Sequence, residues 1–278
     1  MRLNKTNIKK GILTSILSLI ALTQLFPLYW LLMFSLKDNV EISGANVIGL
    51  PRVWRWDHYV TALTNSDIPR FFMNSVIYSG VTVIAGGILA AMAAYGIIRM
   101  KWKLSSLVMG IFTLGIMVPT HAALLPLFQV LDFIGLKGGY LGLMLPYIAF
   151  SIPMSVMILS SFYKSIPREI EEAAYIDGCG MIRTFVSIIL PIVKPAIATS
   201  SIFAFLGTWN ELLFANTLID NGLYKTLSVG IMSFAGQFST EWGLIGAGMV
   251  IATIPTIIIY FMLSNQVQDS IIAGAIKG

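Results

Sequence analysis

The sequence predicts an all-α membrane protein with six transmembrane helices. Two observations carry that prediction. Only 11% of the 278 residues are charged and 56% are hydrophobic, whereas soluble domains carry about 25% charge; the mean hydropathy is +0.82. The charges also fall between uninterrupted apolar runs, each exceeding the ~20 residues that cross about 30 Å of hydrocarbon as a helix.

The runs lie at 11–36, 71–98, 104–131, 138–163, 196–219 and 242–264, within a single domain of spans over 1–278. The first follows Arg2, Lys5, Lys9 and Lys10, as a signal peptide would. Its apolar core is too long for one and no small-residue cleavage site precedes Lys37-Asp38, so it reads as a retained span. In the second, Gly86, Ala90 and Ala94 recur every four residues and give a face for close helix contact. Pro119 and Pro126 interrupt the third, Pro146 and Pro153 the fourth, and Pro255 the sixth, each removing a backbone donor and favouring a kink. Kinks and small-residue seams suit a moving pathway and suit a static bundle equally.

Basic residues orient the chain. With the N-terminus inside, the inner segments hold Arg2, Lys5, Lys9, Lys10, Arg99, Lys101, Lys103, Lys164, Arg168, Arg183, Lys194 and Lys277. The outer segments hold only Lys37, Arg52, Arg55, Arg70, Lys137 and Lys225. Six spans return the C-terminus to the same side, so both termini are expected in the cytoplasm. The net charge of +5 therefore follows topology and is no nucleic-acid signal.

Three connecting segments are long. Residues 37–70 carry Trp54, Trp56 and Tyr59 among mixed charges, which reads as an interfacial aromatic belt or as a partner contact. Residues 220–241 carry Gly222, Gly230 and Gly236 with Tyr224 and Phe234, and read as an irregular loop that re-enters or docks. The third, 164–195, is the longest inner loop. Ser165 is placed to cap a helix, Pro167 fits its first turn, and Glu169 and Glu171 favour the positive end of its dipole. Ile166, Ile170, Ala173 and Ala174 share one face; Arg168, Glu171, Glu172 and Tyr175 share the other. Gly178 ends the helix. A second amphipathic pattern comes next, with Met181, Ile182, Phe185, Ile188 and Ile189 on one side, before Leu190-Pro191 turns the chain back. A charged, two-helix knob between apolar spans reads as a docking surface for a soluble partner, or as a connector lying flat on lipid.

Glu211 is the sole carboxylate expected within a span. On a regular helix Ser201, Ala204, Thr208, Glu211 and Ala215 form one small, polar stripe, with Asn210 on the opposite face. The stripe points to a wet cavity, or Glu211 makes a structural hydrogen bond to a neighbouring helix. His121, after Pro119-Thr120, is either a pathway group or a histidine bonded to a carbonyl freed by Pro119. His58, His121 and the lone Cys179 offer no metal cluster, no phosphate-binding loop is present, and no nucleophile–base set marks an enzyme.

The spacing Glu172-Ala173-Ala174, three residues, Gly178, nine residues, Ile188, one residue, Leu190-Pro191 resembles the signature loop of binding-protein-dependent ABC importer permeases at every fixed position. Trp209-Asn210-Glu211, the stretch from Gly236-Gln237 to Trp242-Gly243, and the terminal Ala273-Gly274-Ala275-Ile276-Lys277-Gly278 are similar to maltose-type carbohydrate permeases, in particular the six-span subunit. His121 lies outside that pattern. The resemblance implies a multi-pass subunit of the bacterial cytoplasmic membrane that performs no covalent chemistry. Its partners would be a second related permease, two ATPase subunits binding ATP and Mg, and an extracytoplasmic solute-binding protein delivering a carbohydrate. It implies ATPase coupling for Glu171, Glu172, Ala173, Ala174, Asp177, Gly178, Ile188, Leu190 and Pro191. It implies a translocation pathway at Thr208, Asn210 and Glu211, and binding-protein contact at Ser233, Phe234, Gly236 and Gln237. The rival reading is an ion-gradient-driven transporter or channel using Glu211 and His121 as proton groups.

Overall fold

A computed structural model describes residues 5–44, 46–100, 102–236 and 240–275. Among them the chain is helical throughout, with a lone antiparallel bridge between Ala235 and Thr240. In chain order the helices are α1 (Lys5–Ser35), α2 (Asn39–Ser43), α3 (Asp57–Thr64), α4 (Ile68–Arg99), α5 (Ser105–Met117), α6 (Leu124–Phe133), α7 (Tyr140–Ser165), α8 (Glu169–Ile176), α9 (Met181–Ile192), α10 (Lys194–Trp209), α11 (Leu213–Leu218), α12 (Leu227–Met232) and α13 (Trp242–Ala275). They pack as two compact units, Met1–Pro69 with Ile231–Thr253, and Arg70–Gly230 with Ile254–Gly278.

Among the described residues, α1, α4, α7 and α13 are individually long and apolar enough to cross a membrane. Two more spans arise if each bent pair counts once. The continuous third span expected over 104–131 is instead α5 followed by a one-turn 3-10 helix and α6, bent by 92°. Val118 and Pro119 are extended, because proline forces the residue before it out of the helical region and supplies no N–H. The fifth span expected over 196–219 is also broken. α10 stops at Trp209 before α11 begins at Leu213, while a 77° bend between α9 and α10 falls just before that span, where the inner loop was expected to end. Pro146, Pro153 and Pro255 remain inside unbroken helices.

In the first unit the end of α1 is the anchor. Ser35, Leu36 and Lys37 are fully buried. Lys37 Nζ donates to the carbonyls of Asn46 (2.6 Å) and Val47 (3.1 Å), folding the following loop over itself. His58 Nδ1 donates to the Ser35 carbonyl at 3.0 Å, and its ring lies where a side chain at Gly243 would stand. Asn39 bonds to the Thr240 carbonyl and to the Trp242 N–H, both at 3.0 Å, satisfying an otherwise orphan donor in the first turn of α13. Trp54 and Trp56 stack with centroids 6.3 Å apart and stay about half exposed. Arg55 grips Asp57 through two nitrogens and holds its carboxyl at about 2. That contribution is present above the ordinary carboxylate range and fades as pH falls through about 2; solvent screening of this exposed pair keeps it small.

The second unit is built on the α4–α7 contact. Gly86, Ala90 and Ala94 are buried, as their four-residue spacing predicts, and Val156, Leu159 and Tyr163 pack in the same core. Tyr163 OH donates to the Ala91 carbonyl at 3.3 Å. A π-helical turn at Thr82–Gly86 sits within this seam, with Ser151 against Gly86. A second core joins Tyr78, Leu143, Tyr147, Phe214, Leu218 and Val229. The expected irregular loop at 220–241 is more ordered than its glycines suggest. It contains a 3-10 turn at Gly222–Tyr224 and then α12. Asn74 Nδ2 donates to the Leu223 and Lys225 carbonyls, both at 2.9 Å, and Ser75 Oγ accepts from Leu227 N–H at 2.8 Å.

Gly142 and Gly96 give a paired test of this packing. A Cβ at Gly142 would collide with the Leu136 carbonyl, whereas one at Gly96 meets nothing within 4 Å. Gly142→Ala is expected to cost about 1–3 kcal/mol, and Gly96→Ala to add up to about 1 kcal/mol through helix propensity. Thermal unfolding of the two variants in one detergent should move in opposite directions.

Candidate functional site

The 164–195 segment folds as two short helices around a corner. Gly178 has φ +80°. Its N–H bonds to the Tyr175 carbonyl at 3.0 Å, and Cys179 N–H reaches back to Ala174 at 2.9 Å. This is the paired arrangement that closes a helix through a left-handed residue, so Gly178 ends α8 as its sequence position predicts. Ser165 is the last residue of α7, its hydroxyl donating to the Phe162 carbonyl at 2.8 Å, and α8 begins at Glu169 with Arg168 at its N-cap.

The faces differ from the periodic reading. Glu171 and Ala174 turn inward, while Glu172, Ala173, Asp177 and Gly178 are exposed. Glu171 is drawn in by Arg99, at the end of α4. Arg99 Nε donates to Glu171 Oε2 at 2.8 Å, and the pair is nearly enclosed, with side chains 5% and 10% exposed. The second helix also departs from its pattern. A π turn at Phe185–Ile189 inserts an extra residue and rotates the helix beyond it. Ile189 is buried, Ile188 and Leu190 are half-buried and Pro191 is exposed, whereas Met181 and Ile182 stand out in solvent. With Ile176 86% and Ile182 76% exposed, the tip on either side of Gly178 is an apolar projection edged by Glu172 and Asp177.

A separate cavity of about 410 Å³ lies between α7, α10 and the break after α10, within the size range of small-ligand sites. Tyr147, Phe150, Phe203 and Phe214 give it aromatic walls; Thr208, Glu211, Ser151 and Thr120 give it polar groups. Glu211 reaches the cavity because α10 ends before it. The carboxylate folds over the start of α11, with Oε1 accepting from Phe214 N–H (2.8 Å) and Oε2 from Ala215 N–H (3.0 Å). Tyr147 OH donates to the same Oε2 at 2.7 Å. The structural bond and the cavity position, alternatives on a regular helix, are thus combined at one residue. Asn210 is exposed, bonds back to the Leu206 carbonyl at 3.0 Å and does not line the cavity. His121 lines it, its ring 6.1 Å from Phe214.

In the first unit Ser233 and Gly236 are exposed and Phe234 is half-buried. The Phe234 carbonyl accepts from Glu241 N–H at 3.1 Å, closing a tight loop. Gln237 lies outside the described residues. Periodicity missed Arg99 and Tyr147: each acts on a carboxylate more than 60 residues away. The available signal was that a carboxylate in an apolar setting needs a donor.

Removing Tyr147 OH by Tyr147→Phe is expected to cost about 0.6–2 kcal/mol, the range for hydrogen bonds within membranes. Glu211→Leu strands three donors and should cost more. Unfolding in detergent checks the order; equal losses would mean that the chain heals the break into helix.

The chain was compared with known proteins. The family described as "Binding-protein-dependent transport system inner membrane component" matches residues 83–272. The probable ABC transporter permease protein YurM of Bacillus subtilis is 35% identical over 91% of this chain and 84% of its own length. The trehalose/maltose transport system permease protein MalG of Thermococcus litoralis is 30% identical over 94% of each chain. Among solved structures, a chain of a bacterial ABC transporter that imports the acidic polysaccharide alginate superposes with a TM-score of 0.80, covering 94% of this chain and 98% of that one at 20% identity.

Proposed function

Because the chain belongs to the family of binding-protein-dependent transport system inner membrane components, we propose that it is one membrane-spanning half of an ATP-driven carbohydrate importer. The carbohydrate assignment draws on the relatives' own cargoes, among them trehalose and maltose, and sulfoquinovosyl glycerol in Agrobacterium fabrum. A second, related permease supplies the other half; two ATPases bind ATP and Mg below; an extracytoplasmic solute-binding protein delivers the sugar. A solved relative of the fold is described in complex with a periplasmic protein holding an alginate pentasaccharide. In this reading the third span is the bent pair α5–α6 and the fifth is α10 with α11, six in all, in the bacterial inner membrane with both termini cytoplasmic.

The observation that carries the coupling role is the apolar tip around Gly178. Exposed Ile176 and Ile182 on a rigid corner invite a partner surface. Glu172, Ala173, Asp177 and Pro191 are the exposed members of that docking segment, and Glu171, Ala174, Ile188 and Leu190 hold it to the helices. The cavity is this chain's share of the translocation route, bordered by Thr208 and Glu211, with Asn210 at its margin. Ser233, Phe234, Gly236 and Gln237 form the face for the binding protein. The ion-gradient alternative places Glu211 and His121 in one cavity, but the Glu211 carboxylate is committed to three donors.

Membranes expressing the tagged chain should yield the second permease and the ATPases on purification. Reconstituted complex should accumulate labelled maltose or a related oligosaccharide only with ATP; uptake by the chain alone, without ATPases, would refute the reading. Gly178→Val places a β-branched residue at φ +80°, where even an ordinary side chain costs roughly 1–2 kcal/mol. The variant is expected to insert normally while ATP-driven uptake falls at least tenfold.

A further inference from the structure

We infer that Arg99 is a positioning residue for coupling. From the end of α4 it clasps the start of α8 to the last turn of α7, so that a displacement of α8 is delivered to the helix that lines the cavity. This rests on the docking role given to α8 above.

The geometry is that of a joint between elements. Two guanidinium nitrogens of Arg99 meet Glu171 Oε2, at 2.8 and 2.5 Å. The remaining nitrogen donates to the carbonyls of Tyr163 (3.2 Å), which also accepts the Ile166 N–H (3.4 Å), and of Ile166 (2.9 Å), at the end of α7. A longer bond reaches the Pro167 carbonyl at 3.4 Å. One planar fork therefore satisfies the end of one helix and the first turn of the next. Lysine, with a single compact charge, lacks the geometry to hold both sets.

Little else fixes α8. Of its eight residues only Glu171 and Ala174 are buried, with Ile170 half-buried against the α4–α7 core, so the apolar grip is small and the polar clasp adds to it. Glu171 Oε1 lies buried without a hydrogen bond of ordinary geometry, beside Tyr95. That incomplete satisfaction is a poor way to gain stability, since an apolar pair of equal volume is often as good or better. What an apolar pair does not supply is direction. On the other side of the joint, α7 runs unbroken from Tyr163 back to Tyr147, about 24 Å at 1.5 Å per residue, and Tyr147 holds Glu211 in the cavity wall.

The test is a spin-label distance between Ile176 at the exposed tip of α8 and Ser161 on the exposed face of α7. Both are replaced by cysteine in a Cys179→Ser background, and measured in the complex purified with its partner subunits. In the parent protein the distance distribution should be narrow and unchanged between the nucleotide-free and ATP–vanadate-trapped states. In Arg99→Met/Glu171→Met, which removes the charges together and preserves packing, it should broaden at least twofold and shift on trapping. Arg99→Lys should broaden it as well, and serves if the double variant fails to assemble. A narrow, state-independent distance in the variants would overturn the clasp. Failure of the parent chain to retain ATPases would instead overturn the docking reading on which it rests.

Discussion

A chain in an apolar medium must satisfy its own backbone polar groups, and every break in a helix exposes some. In this protein, side chains from elsewhere in the fold cover the breaks. Arg99 takes the carbonyls that end α7, Glu211 takes the N–H groups that begin α11, and Asn74 takes two carbonyls of the turn before α12. In the first unit Lys37 and Asn39 do the same for the loop after α1 and the start of α13. Each of these groups is charged or an amide, and each is nearly or wholly withdrawn from water or packed at a helix end. Losing one leaves both the side chain and the backbone unpaired, so the breaks are fixed joints rather than loose hinges.

How much of this was legible depended on the range of the interaction. Hydropathy located the apolar segments because a span is a local property. Gly178 was legible because only a left-handed residue ends α8 in that way. The spacing from Glu172 to Pro191 was legible as a family signature, and the family match bears it out. The proline effects were only partly readable. Pro119 breaks its span while Pro146, Pro153 and Pro255 stay within helices. Each lacks the same donor, so the residue type alone does not decide whether a helix breaks. Glu171 was assigned to the solvent face because charge argues for water when no partner is in view; its partner lies 72 residues earlier. The π turn at Phe185–Ile189 had no local signature, and Ile189, at its end, is buried.

These joints share one member. α7 meets α4 along the alanine seam, meets α8 through the Arg99 clasp, and meets the cavity through Tyr147. Small residues at the seam bring the backbones close, which resists sliding of α7 along α4 because packed surfaces this dense deform little. A load applied to α8 therefore has few soft places to dissipate before it reaches the cavity wall.

The state of Glu211 stems from the same constraint and decides between mechanisms. A carboxylate that carries protons through a membrane must exchange its partners within each cycle. This one is tied to Phe214, Ala215 and Tyr147 at 2.7–3.0 Å, and two of those donors are the first turn of α11. Exchanging those partners would loosen the helix it starts, and no second carboxylate is present among the described residues of the cavity lining. The residue that looked most like a proton site in the sequence is thereby a fixed part of the wall.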